Sequence, residues 1–265
     1  MISYKDNHLI AEENAMLEMA IISVLGERES QEDSFGYCLR DREAIVSVCD
    51  GMGGHDGGKM ASALAANRII SGFEGQRSLE DPILFLVNTA KETSKEISRQ
   101  CHPDGTAMKA GSTMATIMLR DGALYWVSAG DSRVYLLRNE EFVQITVDHN
   151  YRLMLDEHLA AGEITSQEYE QQIHKGEALI SFLGLPELKI MDYNLIPFPV
   201  QSNDKILIMS DGLYKLVCDE EIQRILDNFS NISEALQALD MKAKKNAKSR
   251  QVARDNMTVA LIKIK

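Results

Sequence analysis

Cysteine is scarce in this sequence and nowhere clustered. Cys38, Cys49, Cys101 and Cys218 form no Cys-x-x-Cys pair. That excludes a zinc-type thiolate site, so each is expected to be a small buried hydrophobe in a reducing compartment. Apolar runs are short, and none is long enough to span a bilayer. The stretch Met1-Ile2-Ser3-Tyr4-Lys5-Asp6 is polar and lacks the apolar centre of a secretion signal. A cytoplasmic protein with no membrane partner is the expectation. Positive charge is also in deficit: 28 Lys and Arg face 40 Asp and Glu, for a formal net charge of -12. Such a chain repels phosphate backbones at long range, which argues against nucleic acid as a partner.

What remains is ample core-forming material, 45% hydrophobic over 265 residues. Residues 18–25, 35–39 and 44–49 read as strands. A glycine-rich loop, Asp50-Gly51-Met52-Gly53-Gly54-His55-Asp56-Gly57-Gly58, leads into a helix with Ala61, Leu64, Ala65 and Ile69 on one face. Pro82 suits the first turn of a second helix. Strands follow at 112–119, 123–129, 134–137 and 142–145, with a hairpin signal at Asp121-Gly122. Residues 148–177 are polar and helix-leaning. Strands are expected at 189–196 and 205–209, helices at 219–228 and 232–248, and a closing strand at 257–264. This order lacks regular strand–helix alternation, so it predicts an α+β fold of antiparallel sheets with helices packed outside. No repeat or linker divides the chain, so residues 1–265 read as one domain.

Four aspartates sit at apolar segment ends: Asp50-Gly51, Gly130-Asp131, Asp211-Gly212 and Asp255-Asn256. A strand end projects its side chain at a fixed place on a sheet rim, and glycine lets another group approach closely. One such aspartate is ordinarily a turn former. Four in an acidic chain repel one another unless a cation binds. Oxygen-only ligands select hard ions such as Mg²⁺ or Mn²⁺. Two ions about 4 Å apart can activate a bridging water for in-line displacement at phosphorus.

Arg28-x-x-x-Glu32-Asp33, Asp50-Gly51-Met52-Gly53-Gly54, Gly130-Asp131-Ser132-Arg133, Ser210-Asp211-Gly212 and Asp255-Asn256 occur in this order. Together they resemble the motifs of the metal-dependent type 2C protein phosphatases, the PPM family, in its bacterial form. Each motif is weak alone, and five in order are specific. The resemblance runs from about residue 19 to the end of the sequence. It implies a four-layer α-β-β-α sandwich, with two antiparallel sheets flanked by helices and metals at one end. It implies hydrolysis of phosphoserine or phosphothreonine in protein substrates by a hydroxide bridging two Mn²⁺ or Mg²⁺ ions. By the same resemblance Asp50 bridges the ions, Gly51 offers its carbonyl, and Asp211 and Asp255 complete the second site. Glu32 and Asp33 hold metal-bound waters or ligate weakly, and Asp131 with Asp211 forms a third, looser site. Arg28 grips the substrate phosphate. Residues 148–185 correspond to a flap beside the site. A monomer is expected.

Three departures from the family pattern stand out. Met52 replaces a histidine that donates a proton in some relatives, so a metal-bound water is expected in that role. Lys215 stands where some relatives carry an acid, which weakens the third metal site. The stretch Ile173-His174-Lys175-Gly176-Glu177 lacks the arginine of many bacterial members.

Several patterns are decoys. Gly53-x-x-x-x-Gly58-Lys59-Met60 resembles a nucleotide-binding loop, but Met60 lacks the required hydroxyl and Asp50 and Asp56 would face the phosphates. Cys218 and Arg224 have the spacing of a cysteine phosphatase, yet three acids lie between them and would raise the thiol pKa. Those acids better open a helix. Asp148-His149-Asn150 reads equally as a group near the site and as a polar helix cap. His55 and His174 read as surface residues, Trp126 as core and Arg133 as one half of a stabilising ion pair. Lys242, Lys244, Lys245, Lys248 and Arg250 read by default as a solvated helix face, with a docking patch for an acidic partner as the second reading. A non-catalytic, metal-stabilised module that binds phosphoproteins, or another metallohydrolase, remains the alternative.

Overall fold

The structure is a computed structural model that describes residues 8–53, 57–76 and 79–265. His55 and Asp56 of the glycine-rich loop lie outside the described residues. Two six-membered antiparallel sets of strands organise the rest. The first sheet runs β1(His8–Glu13), β2(Leu17–Val24), β14(Met257–Ile264), β13(Lys205–Met209), β9(Arg133–Arg138), β10(Glu141–Gln144). The second runs β11(Asp192–Tyr193), β8(Ala123–Ala129), β7(Met114–Arg120), β4(Glu43–Cys49), β3(Ser34–Leu39), and β12(Phe198–Pro199) also pairs with β8. A short ribbon joins β5(Gly51–Met52) to β6(Gly111–Ser112).

Side chains alternate across each strand, so both faces of these strands must be covered. On β2, Met19 and Ile21 point between the sheets, where they meet Val46, Val48, Ile117, Ile208 and Ile262. Ala20, Ile22 and Val24 point the other way, onto α6(Asp219–Asn228) and α7(Ile232–Arg250). The second sheet's outer face, with Ile45, Met114 and Met118, packs on α1(Gly57–Glu74) and α2(Pro82–Ile97). The result is the expected helix–sheet–sheet–helix stack. Expected elements appear within a residue or two of their predicted bounds. Asp121 and Gly122 both adopt positive φ, 49° and 77°, as a tight hairpin turn requires. The segment expected to lean helical forms α3(Tyr151–Ala160) and α4(Ser166–Gln172).

Four expectations need correction. Residues 189–196 are not a continuous strand: only Asp192 and Tyr193 pair with β8. The side chain of Asn194 replaces the ladder, accepting from Trp126 N–H at 2.9 Å and donating to Leu124 O at 3.1 Å. Trp126 itself is half-buried rather than core, set edge-on to Phe198 with its indole N–H directed to Asp192 at 3.3 Å. Only Cys49 is buried, and Cys101 and Cys218 are exposed, because both lie on loops outside the sheets. Strand β1 has no counterpart in the sequence reading. It is a mostly exposed edge strand, paired on one side with β2, and only Ile10 packs on the inter-sheet core.

Candidate active site

One end of the sandwich collects the acidic motifs. Asp50 follows β4, Asp211 follows β13 and opens the short helix α5(Asp211–Tyr214), and Asp255 lies just ahead of β14. The three strands deliver their carboxylates into a cavity of about 530 Å³, also lined by Arg28, Glu32, Gly51 and Asn256. Six of the eight sequence-selected residues therefore share one cavity. The other two, Asp33 and Asp131, are buried beside it.

The backbone holding these groups is tightly located. Asn256 accepts from Glu32 N–H at 2.8 Å and donates to Leu25 O and Ser30 O, which ties the Arg28–Glu32 loop to the start of β14. Asp50 donates its N–H to Thr113 Oγ1 at 2.8 Å and accepts at its carbonyl from Thr113 N–H. A Cβ added to Gly212 would strike Asn256 O, so only glycine lets α5 lie against the β14 lead-in.

Electrostatically the cluster is overloaded. Burial pushes the Asp50 carboxyl well above the usual range, and Asp33, Asp211, Asp131 and Asp255 add to this. Burial likewise raises Asp33 to about 7, against hydrogen bonds from Ser210 and Thr258 that favour its charge. Ser210 Oγ donates to Asp33 Oδ2 at 2.7 Å, while the buried Oδ1 has no hydrogen-bond partner. Burial and then Asp211 raise Asp131 to about 6, and Tyr214 O–H donates to it at 3.0 Å.

Two cations draw carboxylates aside. Arg28 contacts Asp255 at 2.5 Å, and Lys215 contacts Asp211 at 2.5 Å. In this arrangement no three His, Cys, Asp or Glu side chains among the described residues are grouped to hold an ion as they stand. The donor chemistry nonetheless fits hard divalent cations. The set is all oxygen, its charges destabilise one another, and one buried carboxylate oxygen is orphaned.

Sequence reasoning missed Tyr214 and Thr113, and it named Ser210 within a motif and His149 beside a helix cap without the contacts they make. Each acts through a contact between distant segments, and no local pattern signals it. His149, buried and held below its ordinary pKa by that burial, accepts from Gly130 N–H at 3.2 Å. Asn150 caps α3 as expected. The residues between Cys218 and Arg224 lie within α6 with three acids in its first turn, so there is no cysteine-phosphatase loop.

Arg133 does form the expected ion pair. It grips Asp148 with two nitrogens, at 2.7 and 3.0 Å, and lies over the Tyr214 ring at 3.6 Å. Arg133→Ala would leave Asp148 mostly buried without its partner. It is expected to lower stability by about 2 kcal/mol, measured by urea unfolding. A loss below the error of that measurement would show the pair to be dispensable.

A family model described as protein phosphatase 2C matches residues 23–247. The chain therefore belongs to the protein phosphatase 2C family. Among curated relatives it is similar to serine/threonine phosphatase stp of Listeria innocua serovar 6a. The two are 30% identical over 239 residues, spanning 89% of this chain and 90% of that one. Protein phosphatase PhpP of Streptococcus pneumoniae is 25% identical over 249 residues, 93% of this chain and 97% of its own. Of solved structures, Mycobacterium tuberculosis PstP/Ppp superposes with a TM-score of 0.75 at 26% identity, covering 94% of this chain and 99% of that one. A PstP catalytic domain in complex with two manganese ions gives a TM-score of 0.73 at 26% identity, covering 94% and 98%. No helix among the described residues is long and apolar enough to cross a membrane.

Proposed function

We propose that this chain hydrolyses phosphoserine and phosphothreonine in protein substrates, with two Mn²⁺ or Mg²⁺ ions in the cavity at the ends of β4, β13 and β14. The observation that carries this reading is the set of five mutually repelling carboxylates, Asp33, Asp50, Asp131, Asp211 and Asp255, at one sandwich end. Asp50 lies among all the others and is the residue suited to serve both ions. The Gly51 carbonyl adds a donor on one side, and Asp211 and Asp255 on the other. Glu32 and Asp33 stand behind these ligands. When bound, the two ions supply a hydroxide nucleophile and positive charge for the phosphoryl oxygens. Arg28, exposed at the cavity mouth, orients the substrate phosphate with its planar fork. Its contact with Asp255 supports this role, because the guanidinium reaches into the carboxylate cluster. Two ions rather than three is the expected load, because Lys215 already places a positive charge near Asp131 and Tyr214 already satisfies one oxygen of Asp131.

The test uses the purified chain with p-nitrophenyl phosphate and phosphothreonine peptides. Hydrolysis should require Mn²⁺ or Mg²⁺ and disappear in chelator. Arg28→Ala should lower kcat/KM about tenfold to a hundredfold, the range of a charged hydrogen bond. Full activity in chelator, with sensitivity to thiol alkylation, would sink the reading.

A further inference from the structure

The second half of the last helix is a basic stretch in an acidic chain. Residues 241–250 include Lys242, Lys244, Lys245, Lys248 and Arg250 and no acid, in a chain of net charge -12. Two of the five are engaged: Lys242 pairs with Glu221 at 2.5 Å, and Arg250 donates to Lys215 O at 2.9 Å. Lys244 and Lys248 lie one turn apart on α7, exposed, and form no ion pair with any described residue. Lys248, in the last turn, complements the helix dipole. Lys244 sits a turn further in, where that effect has faded.

Both lysines line a cavity of about 820 Å³. The turn Leu25-Gly26-Glu27 and the residues Val252 and Arg254 also line it. Arg254 is not a free charge, because it is buried and bonded to Asp240. This groove adjoins the active-site cavity, since Glu27 lines both. The seam is tight: Glu27 N–H donates to Arg254 O at 2.9 Å. Gly26, at φ +68°, lies so close to the Arg254 and Asp255 carbonyls that a Cβ would collide with both. A substrate segment leaving the acidic cavity on this side therefore meets two unpaired lysines beside partly apolar walls.

We propose that this groove selects protein substrates carrying Asp or Glu near the phosphorylated residue, with Lys244 and Lys248 as the specificity-determining side chains. The proposal rests on the phosphatase reading for its substrate. Its charge argument is independent: an acidic segment is repelled by most of this surface and attracted here. Glu27 at the seam disfavours an acid immediately beside the phosphorylated residue, so the preference falls on acids further along.

Matched phosphothreonine peptides, with Glu or Ala two to four residues from the phosphothreonine, test it. The Mn²⁺-loaded wild type should favour the Glu peptide about three- to tenfold in kcat/KM, the scale of two exposed ion pairs. Lys244→Glu/Lys248→Glu should erase that preference and leave p-nitrophenyl phosphate hydrolysis unchanged. Lys91→Glu/Lys95→Glu, on exposed positions of α2, makes the same change in net charge and should leave the preference intact. A second measurement does not need turnover. Fluorescence anisotropy at low salt should show the unphosphorylated Glu peptide binding the wild type and the milder Lys244→Ala/Lys248→Ala protein binding it several-fold more weakly. Equal binding by both, or a preference that survives charge reversal, would overturn the proposal. Tighter binding of phosphatidylserine vesicles than of the Glu peptide would also overturn it. Loss of p-nitrophenyl phosphate hydrolysis in every protein would instead count against the phosphatase reading.

Discussion

Asp50→Asn is expected to cut turnover by on the order of a thousandfold, yet raise the melting temperature of the protein held in chelator. The two effects have one cause. Asp50 is half-buried among four other carboxylates, and desolvation followed by their repulsion holds its carboxyl well above the usual range. In the absence of a cation the folded chain bears the cost of that charge. Asn removes the charge at nearly constant shape. At this size each kcal/mol relieved is worth about 2–4 °C in Tm. The same substitution removes the carboxylate proposed to serve both ions, and metal-derived stabilisation of a transition state is worth several kcal/mol. Each 1.36 kcal/mol is a factor of ten in rate, which gives about three powers of ten. Kinetics with saturating Mn²⁺ and thermal melts in EDTA check both halves. Near-wild-type kcat in the variant would remove Asp50 from the mechanism, and a lower Tm in chelator would remove the repulsion argument.

A second large effect is expected from pH. In chelator the protein should become more stable as pH falls from about 8 to about 5. Asp33 at about 7 and Asp131 at about 6 both lie above the ordinary 3.8 of an unfolded chain. Between those values the folded state binds more protons than the unfolded state. Stability is therefore highest below this window and is lost as pH rises through it. For Asp131 alone, the rise from 3.8 to about 6 costs the folded state on the order of 3 kcal/mol at neutral pH. Saturating Mn²⁺ should reverse the trend, because the ligands must be deprotonated and protons then compete with the metal. Metal at a hundred times its Kd adds about 2.7 kcal/mol. The two Tm-against-pH curves should diverge toward alkaline pH. A chelated protein that loses stability steadily from pH 8 to pH 5 would show that these carboxylates are not the dominant titrating groups.

Much of the site was legible because its residues sit in short local patterns. Asp50-Gly51 and Asp211-Gly212 each join a strand end to a glycine, and Asp255-Asn256 leads into a strand. A strand end fixes a side chain on the rim, so residue type and local period carry the information. The α+β order was legible for the same reason. Strand β1 was not, since its run Leu9-Ile10-Ala11 shows no alternation and most of it stays exposed. Asn194 was not, because its amide stands in for ladder hydrogen bonds only once β8 lies beside it. Lys215 read as a departure from an expected acid. Its contact with Asp211 one helical turn back shows a cation held inside the carboxylate cluster.

By itself the sequence determined the layered α+β class, the oxygen-only character of the candidate ligands and the family to which the motifs belong. The first two follow from periodicity and residue chemistry, and the family from the resemblance that the ordered motifs carry. The tertiary structure alone decided that residues 28 and 255 meet, 227 positions apart in sequence. It also decided that Ser210 and Tyr214 are the donors to Asp33 and Asp131. The groove at Lys244 opens beside the active cavity for the same kind of reason. Sheet pairing of β2 with β14 carries the Arg28 loop to the Asp255 lead-in and the end of α7, and such long-range pairing leaves no local trace in sequence.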